Sequence, residues 1–364
     1  MVKILGFGEV MLRLCPPGFK RFRQVLPGTL EATFGGGEAN VCASLALFGN
    51  EAVYLTALPD NALAESFLAQ MRGLGVDVSK VTLREDTRMG VYFVETGANQ
   101  RASNVIYDRA YSAVAMAGPE AYDFDNALDG VGHVHITGIT PSLSEAAFQA
   151  TLELVKRAKA LGAKVSCDLN YRKKLWNWHE LMKKNELAEY CMAQLVPYVD
   201  LVIANEEDAA DVFGIKAEHA ELTKGRIDAA AYVSVARQLI ERFSNVSQVA
   251  ITLRESISAS HNNWGAMLFD RAAGEAYFAP LDPDGDYAPY EIRDIVDRVG
   301  GGDSFGAGLI HALYSADCSA PRDAIRFAVA ASCLKHSVPG DFNYVSRNEA
   351  LALMRGDASG RVKR

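Results

Sequence analysis

The stretch IRDIVDRVGGGDSFGAGLIHALYSA, residues 292–316, organises the rest of the chain. An apolar run leads into three consecutive glycines, Gly300, Gly301 and Gly302, followed by Asp303 and an amphipathic helix. Glycine can adopt positive φ and lets the backbone approach a ligand, so such a turn can aim several N–H groups at one point. A helix that begins there adds free N–H groups and the positive end of its dipole. The stretch therefore predicts an anion-binding turn.

The carboxylate of Asp303 needs a separate explanation, because it would repel an anion. If a phosphoryl group passes through the turn to a hydroxyl, a carboxylate can orient or deprotonate that hydroxyl. The backbone amides of Gly300, Gly301 and Gly302 would meanwhile stabilise charge on the transferred oxygens. This makes Asp303 a candidate general base. The structural alternative is that Asp303 caps the helix.

Composition limits the classes of partner. The chain has 364 residues, a formal net charge of −8 and 49% hydrophobic residues, which fits a globular protein without a basic surface. Broad nucleic-acid binding and anionic-membrane binding both need such a surface, so we expect neither. No signal-peptide pattern opens the chain and no apolar run is long enough to span a membrane. Six cysteines without a CxxC pair indicate reduced thiols, and we expect a cytoplasmic protein.

Outward from the glycines, the chain alternates between apolar runs of strand length and helical runs. We expect strands at 2–8, 133–138, 163–170, 200–206 and 248–254, and helices near 34–50, 144–161, 186–196, 206–213 and 230–243. Buried strands separated by helices form parallel sheets that are covered on both faces. The pattern predicts an α/β fold with a doubly wound, mainly parallel sheet flanked by helices. The polar residues 255–265 are interpreted as a loop before two further strands.

A second β-rich region interrupts this alternation. Residues 85–113 form two alternating runs around a turn, which predicts a hairpin, and with residues 12–34 they would form a small separate sheet. Tyr92, Tyr107 and Arg109 stand out on it. Tyr107 and Arg109 lie two positions apart and share a face, and the planar guanidinium can pair with a carboxylate. The alternative is a solvated arginine beside a packing tyrosine.

Polar residues follow the ends of the predicted strands. The carboxyl ends of parallel strands meet at one edge of a sheet, so these residues are expected to converge there. The candidates are Glu9, Gly138, Asp168, Asn170, Arg172, Asn205, Asp208 and Arg254. A second glycine run adds Gly35 and Gly36 before a helix whose first turn holds Asn40. The carboxamide of Asn40 both donates and accepts, which suits a polyhydroxy substrate, although local capping is the plainer interpretation.

Together these motifs resemble the ribokinase-like, or pfkB, family of carbohydrate kinases over nearly the whole chain. The family signature Asp-Thr-x-Gly-Ala-Gly-Asp corresponds to residues 297–303, which we call the glycine turn. Its early signature, two glycines and an asparagine, corresponds to Gly35, Gly36 and Asn40. The chain departs from the family at Arg298, in place of threonine, and at Gly301, in place of alanine.

The resemblance implies ATP as phosphoryl donor and Mg²⁺ as cofactor, with a monovalent cation left open. The family's Asn-x-x-Glu element would hold the metal through phosphates or water, and here it corresponds to Asn205 and Asp208. The nucleotide would contact Asn205, Arg254, Gly300 and Gly302. The resemblance further implies a homo-oligomer, either a dimer through the lid or higher. It divides the chain into an α/β nucleotide- and sugar-binding domain of residues 1–11, 35–84 and 114–364 and a β lid of residues 12–34 and 85–113.

Within the family, the chain is most similar to the 2-keto-3-deoxygluconate kinases, through Tyr107-x-Arg109 and Asp168-x-Asn170-x-Arg172. This implies phosphorylation of the primary hydroxyl of an acidic sugar, whose carboxylate end would meet the arginines and tyrosines. The expected substrate-binding residues are Glu9, Gly35, Gly36, Asn40, Tyr92, Tyr107, Arg109, Gly138, Asp168, Asn170, Arg172 and Asp303. The alternatives are a fructokinase, ribokinase or 5-keto-2-deoxygluconate kinase, or a non-catalytic sugar sensor on the same fold.

Overall fold

A computed structural model of the chain describes residues 2–205, 207–216 and 229–357. Its strands are β1 Lys3–Phe7, β2 Met11–Cys15, β3 Glu31–Gly35, β4 Glu51–Leu55, β5 Ala57–Pro59, β6 Thr82–Arg84, β7 Gly90–Glu95, β8 Asn104–Asp108, β9 Val131–Thr137, β10 Lys164–Asp168, β11 Leu201–Ala204, β12 Gln248–Ser258, β13 His261–Asp270, β14 Glu275–Ala279 and β15 Tyr290–Ile292. Its helices are α1 Phe22–Val25, α2 Gly37–Leu47, α3 Ala62–Gly73, α4 Phe124–Ala127, α5 Glu145–Ala160, α6 Lys184–Leu195, α7 Asp208–Phe213, α8 Ala229–Arg242, α9 Gly301–Leu313, α10 Pro321–Lys335 and α11 Arg347–Met354.

The central sheet has nine strands, in the order β14-β13-β12-β11-β10-β9-β1-β4 with β15 paired to β13. The strands from β12 through β4 in this order run parallel to one another. Strand β13 pairs antiparallel with both β12 and β14. The predicted mainly parallel sheet flanked by helices is confirmed. Because the parallel strands point the same way, their carboxyl ends share one edge.

The core consists of two hydrophobic clusters. Along β1, Leu5 and Phe7 belong to one cluster and Ile4 to the other, so the strand is buried on both faces. The first cluster includes buried residues of α5, α6 and α8, and the second those of α2, α3, α9 and α10. Such two-sided burial explains why the strands are continuous apolar runs rather than alternating ones. No helix among the described residues is long and apolar enough to cross a membrane.

A small sheet of four strands, in the order β3-β2-β7-β8, lies apart from the central sheet. Its strand β2 pairs antiparallel with β3 and parallel with β7, and β7 and β8 form the hairpin expected from the alternating pattern. Tyr92 on β7 pairs with Tyr107 on β8, and their rings stack with centroids 6.2 Å apart. These two rings therefore lie on the same face of the small sheet.

The interpretation of residues 255–265 as a loop is wrong. Strand β12 continues to Ser258 and β13 begins at His261, so most of this segment is the tip of a long hairpin. Here β12 pairs with β13, and residues 262–264 of β13 also pair with β15. Arg298 supports the tip by donating to the carbonyl of Ala259 at 2.8 Å and to Asn262 Oδ1 at 2.9 Å.

Candidate active site

A cavity of about 330 Å³ opens at the carboxyl edge of the central sheet, between that sheet and the small sheet. Almost all of the sequence-predicted site residues line it, although they come from segments far apart in the chain. They are Glu9, Gly35, Gly36, Asn40, Tyr92, Tyr107, Arg109, Asp168, Asn170, Arg172, Asn205, Asp208, Arg254, Gly300, Gly302 and Asp303. Gly138 and Gly301 are not among the lining residues.

The glycine turn and the start of α9 form the floor of the cavity. Gly300 precedes the helix with φ of 83°, a left-handed conformation that favours glycine. A Cβ at this position would also overlap the carbonyl oxygen of Asp341. Gly302 is exposed toward the cavity, whereas Gly301 packs against His336 and donates its N–H to the carbonyl of Arg298 at 3.4 Å. Helix α9 begins at Gly301, so Asp303 stands in its first turn.

Asp303 is held by a single asparagine from the other glycine run. Asn40 Nδ2 donates to Asp303 Oδ2 at 2.6 Å, and Asn40 Oδ1 accepts from the N–H of Gly36 at 3.3 Å. The second bond fixes the amide orientation, because only its oxygen can accept. Burial raises the pKa of Asp303 to about 6, and the hydrogen bond from Asn40 opposes the shift. A carboxyl group with that pKa can accept a proton at neutral pH.

Two glycines allow α2 to approach the first strand end. A Cβ on Gly36 would overlap the carbonyl oxygen of Glu9, and one on Gly35 would overlap the carboxylate of Asp341. Gly138 serves a similar purpose at the end of β9, where a Cβ would meet the carbonyl oxygen of Leu169. These close contacts explain the glycines by packing, and they bring Asn40 to the cavity.

Arg109 pairs with Glu9 across the boundary between the two sheets. Its Nε donates to Glu9 Oε2 at 2.7 Å, its Nη2 binds the same oxygen, and both side chains are buried. Its guanidinium carbon lies 5.6 Å from the ring centre of Tyr107. Among the described residues, Glu9 Oε1 is buried without a hydrogen-bond partner. A buried acceptor of this kind calls for a donor, such as a sugar hydroxyl.

Asp168 and Asp208 place two carboxylates on another wall of the cavity. Asp208 accepts the N–H groups of Tyr171 and Asn205, each at 3.0 Å, so it joins the ends of two neighbouring strands. Burial raises the pKa of Asp168 well above its usual range, and the charges of Asp208 and Asp303 add to the shift. Two carboxylates that repel each other suit a divalent cation such as Mg²⁺, which prefers oxygen ligands. Arg172 lies exposed at the same wall and favours the charged form of Asp168.

Several important residues were missed by the sequence analysis. Asp341 lines the cavity and accepts from the Tyr92 hydroxyl at 2.6 Å and from Arg13 Nη1 at 2.8 Å. Glu38 lines it too, and burial raises its pKa to about 7. The sequence held a signal for Asp341, because this acid directly follows Pro339-Gly340, where a helix must end. It also held a signal for Glu38, because this acid stands among apolar residues at the start of a helix. Arg13 gave no local signal, because its partners are distant in sequence.

Comparison with known proteins identifies the group to which this architecture belongs. The sequence model of a family described as "pfkB family carbohydrate kinase" matches residues 1–253 of this chain. A 2-dehydro-3-deoxygalactonokinase from Haloferax volcanii is 30% identical over 358 residues, which is 98% of each chain. A 2-dehydro-3-deoxygluconokinase from Thermoproteus tenax is 27% identical over 360 residues, covering 96% of this chain and 91% of the relative.

Solved structures agree with the sequence comparison. The crystal structure of 2-dehydro-3-deoxygluconokinase from Thermotoga maritima superposes with a TM-score of 0.86 at 41% identity and covers 98% of both chains. A ribokinase II structure from E. coli shares the fold, with a TM-score of 0.74 at 18% identity. The chain therefore belongs to the pfkB family of carbohydrate kinases, enzymes that transfer a phosphoryl group to a sugar hydroxyl.

Proposed function

We propose that this kinase uses ATP to phosphorylate the primary hydroxyl of 2-keto-3-deoxygluconate. The observation that carries the proposal is one cavity that holds both Asp303 at the glycine turn and two arginines, Arg109 and Arg172. The Thermotoga maritima relative is named for this substrate and the Haloferax volcanii relative for the galactose-derived compound. Those names support an acidic 2-keto-3-deoxy sugar, and the C4 epimer is a second candidate substrate.

Asp303 accepts the proton of the attacking hydroxyl in the proposed mechanism. Its carboxylate is oriented by Asn40, and its pKa of about 6 keeps it ionised at neutral pH. The amides of Gly300 and Gly302 hold the transferred phosphoryl group, where the start of α9 favours negative charge. Mg²⁺ would be held through phosphates or water near Asn205 and Asp208, where it supplies positive charge to the nucleotide. Arg254 lines the same cavity and is assigned to the nucleotide.

Arg172 is the principal partner for the sugar carboxylate in this proposal. Its side chain is exposed in the cavity, whereas Arg109 already pairs with Glu9. Arg109 would then orient Glu9 toward a sugar hydroxyl and add positive charge, with Tyr92 and Tyr107 beside it. A bidentate charge-assisted pair at Arg172 discriminates strongly against neutral sugars.

The small sheet is proposed to be the lid of the site. This lid consists of residues 12–34 and 85–113. By closing over the sugar it would exclude water, which competes as phosphoryl acceptor. The proposed lid segments expose the apolar side chains Phe19, Ile106 and Tyr111, which supports a homo-oligomer formed through the lid. All six cysteines are free thiols, which supports a reducing compartment such as the cytoplasm.

A coupled ADP-release assay over acidic keto sugars, fructose and ribose tests the proposal. We expect the highest kcat/KM with 2-keto-3-deoxygluconate or its C4 epimer. Asp303→Asn should lower kcat by roughly 10² to 10⁴, since it removes a general base. Arg172→Ala should raise KM for the acidic sugar more than for fructose. Equal loss on both sugars would favour a neutral-sugar kinase, and binding of sugar without ADP release would favour the sensor.

A further inference from the structure

Lys335, the last residue of α10, is buried directly behind the glycine turn. Its side chain is 0% exposed, and its ammonium group donates to the carbonyl of Val338 at 3.0 Å. Lysine is almost never fully buried unless it is paired, because removing its charge from water is costly. None of the roles assigned above uses this ammonium group. Its position next to a phosphoryl-transfer site therefore needs an explanation.

Lys335 lies near a buried network of charged side chains. Arg13 bridges Asp297 and Asp341 with N–O distances of 2.7 and 2.8 Å, and the charges of both carboxylates also act on Lys335. Burial lowers the pKa of Lys335, but Asp297 and Asp341 oppose the shift and favour the charged form. Arg13 opposes that form, and Asp303 supports it.

Lys335 also supports the backbone of the turn. Its last methylene group lies 3.2 Å from the place where a Cβ on Gly300 would stand. Asp297 accepts the N–H groups of Val299 and Gly340, so the same charged cluster fixes both segments behind the floor of the cavity. Loss of the ammonium group would remove positive charge from behind a turn that must receive an anion.

We propose that Lys335 is a built-in monovalent cation for the glycine turn. It is a positioning residue, since it acts through Gly300 and through the charge of Asp297 and Asp341 rather than by touching the substrate. Because this positive charge belongs to the chain, phosphoryl transfer needs no added K⁺. The proposal rests on the phosphoryl-transfer function proposed above and extends it to the choice of cation.

The test compares steady-state kinetics in the chlorides of tetramethylammonium, Na⁺, K⁺ and NH₄⁺ at constant ionic strength. Wild-type activity should be the same in all four salts. Lys335→Ala should lose roughly 10- to 100-fold in kcat/KM for ATP in tetramethylammonium, as expected when a charge that stabilises an anion is removed. The kcat/KM of Lys335→Ala should recover in K⁺ or NH₄⁺. These ions are small enough to occupy the space left by the lysine ammonium group, whereas tetramethylammonium is too large. Lys335→Gln keeps a donor but not the charge and should lose activity in tetramethylammonium too.

Lys159→Ala is the matched control, because Lys159 pairs with Asp200 at 2.8 Å and does not line the cavity. Its kinetics should not depend on the cation. Melting temperature gives a second readout: K⁺ should stabilise Lys335→Ala and leave the wild type unchanged. A wild type that requires K⁺, or a folded Lys335→Ala that no cation restores, would overturn the inference while leaving the kinase function intact. Absence of turnover in the wild type with every sugar and salt would instead overturn the proposed function.

Discussion

Asp303, the proposed general base, has an environment that would suit proton transfer. Burial raises its pKa to about 6, and a single hydrogen bond from Asn40 limits the rise. Since the charged form is the base, the proposed activity is present above this pKa and is lost as the pH falls through it. The group is thus ionised at neutral pH yet more basic than an ordinary aspartate.

We expect kcat/KM to be constant above neutral pH and to fall about tenfold per pH unit below pH 6, as one essential base is protonated. A pH profile measured with saturating Mg²⁺ checks this. Phosphate groups such as those of ATP also titrate near pH 6, so the wild-type profile alone does not assign the group. A profile with no acid limb between pH 5 and 7 would contradict the role of Asp303.

The variant Asn40→Ala tests whether Asp303 is the group that titrates in the acid limb. The substitution removes the hydrogen-bond donor that favours the charged form of Asp303. We expect the acid limb to move to higher pH, while the titration of ATP stays the same. Asn61→Ala is the control: Asn61 caps α3 by accepting from Leu63 and Ala64, so its loss costs about 1 kcal/mol of stability without moving the limb. An unchanged limb in Asn40→Ala would show that another group titrates.

At the scale of elements, the small sheet and the glycine turn are joined by a buried ion pair. Arg13 on β2 is 4% exposed and binds Asp297 in the turn and Asp341 after α10. Asp341 also accepts from Tyr92 on β7, so two strands of the small sheet meet the same carboxylate. The position of the small sheet is thereby coupled to the conformation of the turn.

Arg13→Met should lower the free energy of unfolding by about 3–5 kcal/mol, because it leaves two buried carboxylates with too little positive charge. Urea unfolding followed by tryptophan fluorescence measures the change. Arg88→Met is the control in the same region, because Arg88 pairs with Asp108 at the surface, where ion pairs contribute little. If both variants lost the same free energy of unfolding, the buried ion pair of Arg13 would not stabilise the protein more than a surface pair does.

At the scale of the whole molecule, local periodicity was enough to predict the central sheet and the edge where polar residues converge. Asp168 and Asp208 could be placed together because parallel strands end at one edge. The charged cluster could not be predicted, since Arg13 meets Asp341 across 328 positions and such a contact leaves no periodic trace. The tip of the β12–β13 hairpin was misread because its many polar residues have the composition of a loop.

The whole fold also suggests how the proposed lid responds to substrate. Strand β2 lies inside the small sheet and is anchored by Arg13, whereas β8 is an edge strand with mostly exposed residues. Tyr107 on β8 lines the cavity, so a bound sugar would restrain this edge directly. We therefore expect closure to be concentrated in the β7–β8 hairpin, while β2 stays in place.

Hydrogen exchange measured by mass spectrometry tests this expectation. Addition of 2-keto-3-deoxygluconate should slow exchange in residues 90–108 and leave residues 11–15 unchanged, because the ion pair already holds β2 in the free protein. Strand β14 is the control, since it is also an edge strand but contributes no residue to the cavity, and its exchange should not change. Equal slowing in β2 and β8 would contradict local closure, because it would mean that the small sheet moves as one rigid unit. Such movement would require the Arg13 ion pair to form only when sugar is bound, and Arg13→Met would then weaken sugar binding as well as stability.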